Sequence, residues 1–277
     1  MLMSKVSIVT ISLNQGAFVE RAIRSVLEQE AVDLEYIVVD AGSTDGSREV
    51  IEKYRPRIAK IILEPDDGPA NGLNKGFAQA TGEVLGYLNA DDILLPGALS
   101  EAVALLERSH ADVVYGDGYF IDAEGRSIRR CLSTPFNFRR LLLGAMVVMQ
   151  QSTFFRARCF REVGGFNEQN HTCWDGELFF EFAKRGLGVV HVAKYWSAFR
   201  LHSGGISGSG RLEEQYQADL RRIYGPSLAE FGPRLHWHRK FAWWETRLRS
   251  PRRSLLAVCD RFLGPPDVIV QERQGRQ

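Results

Sequence analysis

Short apolar runs alternate with stretches of helical periodicity through the first 115 residues, and no other feature narrows the choice of fold so far. Val6 to Ile11 is rich in β-branched residues, and Ala17 to Gln29 follows with Val19, Ile23, Val26 and Leu27 at helical spacing. Tyr36 to Asp40 and Ile58 to Leu63 read as two further strands, separated by the turn Gly42 to Gly46 and a helix through Val50 to Tyr54. The spacing then predicts a helix from Pro69 to Thr81, a buried strand from Val84 to Asn89, a helix from Leu99 to Arg108 and a strand from Asp112 to Tyr115. Strands that alternate with helices are joined by crossovers. They therefore form a largely parallel sheet, with its ligand site at the carboxyl ends of the strands.

Beyond Tyr115 the pattern loosens, and Gly116 to Ser133 reads as irregular. Gln151 to Phe155 and Val189 to Phe199 are strand-like, Arg158 to Val163 is a short helix, and Gly176 to Arg185 is a helix with Leu178, Phe179 and Phe182 as its apolar stripe. The tail from Leu235 to Leu263 sets Trp237, Phe241, Trp243, Trp244 and Leu248 among basic residues. Such a composition suits packing on the domain, self-association, or contact with an anionic membrane surface. The expected division is an α/β domain over 1–210, with halves at about 1–115 and 116–210, and a helical extension over 211–277.

Lys and Arg total 35 against 34 Asp and Glu, so no cationic excess points to nucleic acid as a partner. Cys131, Cys159, Cys173 and Cys259 form no Cys-x-x-Cys pair, which argues against a zinc knuckle or a disulfide framework. Val6 to Leu13 alternates with Ser and Thr, unlike a signal peptide, and the apolar stretch Leu141 to Met149 is too short to cross a bilayer. The expectation is a cytoplasmic protein, soluble or attached at the inner face of the membrane.

The chemistry should begin where the strand Val84 to Asn89 runs into Asn89-Ala90-Asp91-Asp92. Hard oxygen ligands at a strand end suit Mg²⁺ or Mn²⁺, which bind few protein groups and complete their shell with phosphate oxygens and water. A diphosphate is the natural partner. Two adjacent acids also serve simply to make a turn or cap the helix after Pro96.

Taken together these segments resemble glycosyltransferase family 2 over roughly Lys5 to Ser207. The opening strand and loop, Val6-Ser7-Ile8-Val9-Thr10-Ile11-Ser12-Leu13-Asn14, resembles the family's first signature, and Tyr36 to Ser47 its second. Asn89-Ala90-Asp91-Asp92 resembles its Asp-x-Asp metal motif, and Trp174-Asp175-Gly176-Glu177-Leu178 its catalytic-base region. Asn89 and Ala41 stand where many members carry Asp. The resemblance implies a GT-A fold, a Rossmann-like, mostly parallel sheet flanked by helices, and a metal-dependent inverting transfer of sugar from a nucleotide-diphosphate donor (UDP-, GDP- or dTDP-sugar). The acceptor would be a saccharide or lipid-linked saccharide, in the synthesis of a polysaccharide, lipopolysaccharide or glycolipid.

It also implies roles for particular residues. Thr10, Ser12 and Asp40 would line the base and ribose pocket, with Asn14 and Asn89 also on the donor side. Asp67 and Lys75 would border nucleoside and phosphates, Asp91 would approach ribose or sugar, and Asp92 and His202 would hold the metal. Asp175, at the start of its helix, would be the base, kept ionised by the helix N-terminus. Gly204, Gly205, Gly208 and Gly210 would hinge a lid that brings Arg200 or Arg211 to the diphosphate, while Gln150, Gln151 and Gly164-Gly165-Phe166 would shape the acceptor side. A nucleotidyltransferase shares this layout but expects a glycine-rich basic loop after the first strand, where Leu13 to Ala17 has one glycine and no Lys or Arg. A silent sugar-nucleotide-binding protein is the third reading.

Overall fold

The structure, a computed structural model, describes residues 4–205, 212–253, 255, 256 and 260. Its elements in chain order are β1 (Val6–Ser12), α1 (Val19–Leu27), β2 (Leu34–Asp40), α2 (Ser47–Lys53), β3 (Lys60–Ile62), α3 (Pro69–Phe77), β4 (Val84–Asn89), β5 (Ile93–Leu94), α4 (Ala98–Ser109) and β6 (Val113–Ile121). After these come β7 (Ser127–Cys131), α5 (Phe138–Leu142), β8 (Thr153–Arg156), α6 (Ala157–Val163), α7 (Trp174–Lys184), β9 (Val189–Arg200), α8 (Glu213–Leu228) and α9 (Leu235–Arg249). The strands form one sheet in the order β3-β2-β1-β4-β8-β6-β9-β5, with β7 paired to β6.

The first half is parallel, as the alternation requires. Val6 faces Leu34 on β2 and Val84 on β4, and the register runs on to Ser12 opposite Asp40 and Ile11 opposite Asn89. Three strands therefore end side by side on polar residues. Successive side chains of a strand point to opposite faces, and the core divides accordingly. Ile8, Tyr36 and Val38 pack with Val19, Ile23 and Leu99 of α1 and α4, whereas Val9, Ile37 and Val39 pack with Leu73 and Phe77 of α3.

The second half is mixed. β8 runs antiparallel to both β4 and β6, while β6 and β9 are parallel. The stretch read as irregular after Tyr115 continues β6 to Ile121 and returns as β7. Gly116 and Gly118 caused that misreading. A Cβ on either would lie 2.7 Å from a β9 carbonyl, of Lys194 and Ser197 respectively, so these glycines allow close backbone approach within a strand and do not end it.

The helical extension packs on the domain through α8. Arg222 reaches Glu177 of α7 with both guanidinium ends, at 2.6 and 2.8 Å, and Tyr224 packs against Phe180. The expected domain boundary at 210 lies outside the described residues, as do Gly208, Gly210, Arg211 and Cys259. Cys131, Cys159 and Cys173 are free, and burial pushes each thiol up to about 11. Among the described residues no helix is long and apolar enough to cross a membrane.

One carboxylate buckles the amino ends of the parallel strands. Glu35 of β2 accepts hydrogen bonds from Lys5 Nζ (2.8 Å), Ser7 Oγ (2.5 Å), Thr81 N (2.6 Å) and Thr81 Oγ1 (2.7 Å). Burial alone would raise its pKa, but these donors outweigh burial and lower it to about 2. A folded-state pKa below the unfolded one contributes stability that is present above about 4.5 and lost as pH falls toward 2. Acid unfolding followed by circular dichroism should therefore show the parent losing stability through this window more steeply than Glu35→Gln; equal pH dependence would refute the assignment.

Candidate active site

The carboxyl ends of β1, β2 and β4 open onto a cleft of about 1100 Å³. Its walls are the loop after β1 (Ser12 to Phe18), Ala41 and Asp45 after β2, Asp66, Gly68 and Pro69 at the entry to α3, Asn89 to Asp91 after β4, Gln150 and Gln151, the start of α7, and Phe199 to Gly205.

The first two loops are zipped together. Asn14, with a left-handed φ of 53°, accepts from Thr44 N through Oδ1 (3.0 Å) and donates its own N–H to Ser43 Oγ (2.8 Å). Gly16 N donates to Asp45 Oδ2 at 2.7 Å. Asp40 organises the second loop from beneath, accepting from Gly42 N, Ser43 N, Ser43 Oγ and Arg48 Nε. Burial raises its pKa, yet those bonds win and the carboxylate is held below its ordinary range. Asp40 has no exposed surface and does not line the cleft; nor does Thr10, whose Oγ1 accepts from Tyr36 at 2.9 Å. Asp40 thus supports the loop after β2, and Thr10 joins β1 to β2.

The adjacent acids after β4 part company. Asp92 is fully buried: its Oδ1 accepts from Arg200 N (2.9 Å) and its Oδ2 from Gln151 Nε2 (2.8 Å) and Asn89 Nδ2 (3.3 Å). Burial, and then the neighbouring Asp91 charge, push its pKa up. With both oxygens engaged inside the protein, Asp92 does not line the cleft in which a metal was expected of it. Asp91 does, and its Oδ2 lies 3.0 Å from His202 Nε2. The His202 ring rests 4.7 Å from that of Phe18.

Arg200 is likewise committed. It donates from Nε to Asp91 O (2.8 Å) and from Nη1 to Asp122 O (2.8 Å) and Ala123 O (2.9 Å), so it braces the acidic turn, and Nη2 alone is left for a ligand. Asp175 sits half-buried in the first turn of α7 and also lines the cleft. Burial raises its pKa, with the Gly176 N–H pulling the other way.

Of the remaining expected residues, Asp67 is exposed and off the cleft, and its neighbour Asp66 takes the cleft position, accepting from Gly68 N at 3.0 Å. Lys75 Nζ donates to Pro65 O at 2.5 Å, tethering that loop. The Gly164-Gly165-Phe166 turn lies outside the cleft lining, with Phe166 buried against Phe77. Asp66 was missed because two adjacent acids differ only in orientation, which no spacing rule resolves.

Four cleft residues carry a buried polar atom without a partner: Ser12 Oγ, Asn89 Oδ1, Trp174 Nε1 and Arg200 Nη2. Buried polar groups are nearly always bonded, so these four are open to a polar ligand. Among the described residues no three His, Cys, Asp or Glu side chains converge on one point. Asp91 and His202 offer one carboxylate and one imidazole at the cleft wall. An imidazole beside a carboxylate suits Mn²⁺ better than Mg²⁺, which takes oxygen ligands, with phosphate and water filling the other positions.

Known proteins share this fold. S. aureus TarS 1–349, solved with UDP-GlcNAc, superposes with a TM-score of 0.68 over 89% of this chain and 72% of its own, at 18% identity. The mannosyltransferase PcManGT from Pyrobaculum calidifontis, solved with GDP-Man and Mn²⁺, gives 0.61 over 93% and 80%, also at 18% identity. Likeness at that identity establishes the GT-A fold. In sequence, an uncharacterized glycosyltransferase of Mycobacterium tuberculosis is 32% identical over 221 residues, 79% of this chain and 82% of the relative. Alignments with the first curated relatives span 40% or less of their lengths. The model of the family described as glycosyl transferase family 2 matches residues 7–164. That stretch takes in more than half of the 277 residues and carries β2, β4, nearly all of β1 and the loops that follow them, while Asp175 and His202 lie beyond it; the chain belongs to glycosyl transferase family 2.

Proposed function

We propose that this chain transfers a sugar from a nucleotide-diphosphate sugar to an acceptor hydroxyl by a single inverting displacement. The observation that carries the reading is the shared hollow: the Asp91–His202 pair and Asp175 line one cleft, together with four unpartnered polar atoms. The nucleotide sugars held by TarS and PcManGT, and the Mn²⁺ in the latter, support a donor of this class.

In this reading Asp91 and His202, and not Asp92, hold Mg²⁺ or Mn²⁺. The bound cation would supply positive charge to the departing diphosphate. Ser12, Asn14 and Asn89 contact the nucleoside and sugar from the ends of β1 and β4, while Asp40, Thr10 and Asp92 keep those ends in place. The acceptor oxygen attacks the anomeric carbon as the bond to the diphosphate breaks, and Asp175 takes the hydroxyl proton. Burial that raises the Asp175 pKa makes it a better proton acceptor than a solvated carboxylate. Saccharides, free or lipid-linked, are the acceptor class that the open side of the cleft would admit.

Two experiments test this. Ligand that binds only the folded state stabilises it by about 2.7 kcal/mol at a hundredfold excess over Kd. Thermal shifts with UDP-, GDP- and dTDP-sugars should rise with Mn²⁺ in the parent, and Asp91→Ala and His202→Ala should each abolish the Mn²⁺-dependent part. Indifference of the parent to every nucleotide sugar would overturn the donor assignment. For the base, Asp175→Asn should lower turnover by about 10²–10⁴-fold with donor affinity unchanged. In the parent, kcat/KM should climb with pH as the Asp175 carboxyl ionises, and this limb should vanish in Asp175→Asn. Parental turnover in the variant would remove Asp175 from the mechanism.

A further inference from the structure

Helix α9 has two apolar faces. The inner one packs on the domain: Ala242 and Thr246 are buried, Thr246 Oγ1 lies 2.9 Å from Ala145 O, and Leu235 joins Leu143 and Ala145. The outer one has no cover among the described residues. Trp237, Phe241, Trp244 and Leu248 are 70%, 62%, 66% and 65% exposed. Their spacing of four, three and four residues puts them in a single stripe along the helix, opposite Ala242 and Thr246. Isolated exposed apolar residues are ordinary; a continuous stripe of four, two of them Trp, marks an interaction surface.

Charge decides what it meets. Lys240 and Arg247 flank the stripe, and the helix also carries Arg239 and Arg249 against a single acid, Glu245, which is already paired with Arg249 at 2.9 Å. A second copy docked through the same stripe would set Lys240 and Arg247 of both chains against each other. Anionic headgroups complement them, and Trp and Phe are the side chains that settle at the boundary between headgroup and acyl chain. The helix holds 15 residues and four cations, so it can lie in that boundary but not span it.

We propose that α9 is an interfacial helix. It lays Trp237, Phe241, Trp244 and Leu248 into an anionic lipid surface, while Lys240 and Arg247 meet the phosphates and the opposite face stays fastened to the enzyme. The proposal is independent of the donor and metal assignments.

The test is co-sedimentation of the full chain with vesicles of phosphatidylcholine alone and of phosphatidylcholine with an equal part of phosphatidylglycerol. The chain should pellet with the anionic vesicles, and less so at high salt, which screens the headgroup attraction. Trp237→Ser/Phe241→Ser/Trp244→Ser and Lys240→Glu/Arg247→Glu should each cut partitioning by about tenfold or more. All five side chains are exposed, so melting temperature and nucleotide-sugar binding should match the parent in both variants. Equal binding to neutral and anionic vesicles, or parental binding by the triple serine variant, would overturn the proposal. So would a parental dimer in sedimentation velocity that the triple variant breaks while neither protein binds vesicles, since the stripe would then belong to a second copy.

Discussion

A buried carboxylate holds the cleft together. Asp92 ties three segments distant in sequence, accepting from the backbone of Arg200 at the end of β9, from Gln151 before β8 and from Asn89 at the end of β4. Removing a carboxylate from water costs several kcal/mol unless its lone pairs are filled, and here three donors fill them. Asp92 is fixed inward, while Asp91 lines the cleft and meets His202 two positions beyond Arg200. Arg200 closes the arrangement by donating to the Asp91 carbonyl and to the loop after β6. Leaving any of these donors or acceptors unpaired inside the protein would cost about 1–3 kcal/mol each, so this bonding holds the turn behind Asp91 in place.

The same economy separates support from site elsewhere. Asp40 and Thr10 have partners within the fold, whereas Ser12, Asn89 and Trp174, which line the cleft, each keep a buried polar atom unbonded. Polar atoms that the fold has satisfied have little left to offer a ligand. Those it has desolvated and left open gain most when a ligand arrives. Asp175 lines the same cleft, half-buried in the first turn of α7.

The parallel half of the fold was legible because crossover topology leaves its trace in alternation: β1, α1, β2, α3, β4 and α4 all lie where periodicity put them, within a few residues at their ends. The mixed half was not. Pairing direction for β8 is fixed by partners far along the chain, and Gly116 and Gly118 read as breaks although they sit inside β6 where β9 comes closest. At the site, residue types and order were readable, while orientation was not. Adjacent acids look alike in a string, and only the structure distinguishes Asp91 from Asp92 or Asp66 from Asp67. The outer face of α9 shows the opposite case, since its aromatic and basic composition was plain in the sequence and the structure added which side chains the domain leaves uncovered.

The central claim is that Asp91 and His202, and not Asp92, form the cation seat beside the donor diphosphate. Pulsed electron paramagnetic resonance of Mn²⁺ bound with UDP or GDP reads this directly, because a coordinating imidazole couples its nitrogen to the electron spin. The account predicts coupling to one imidazole nitrogen in the parent and its loss in His202→Gln. A spectrum without nitrogen coupling, or one that His202→Gln leaves unchanged, would contradict it.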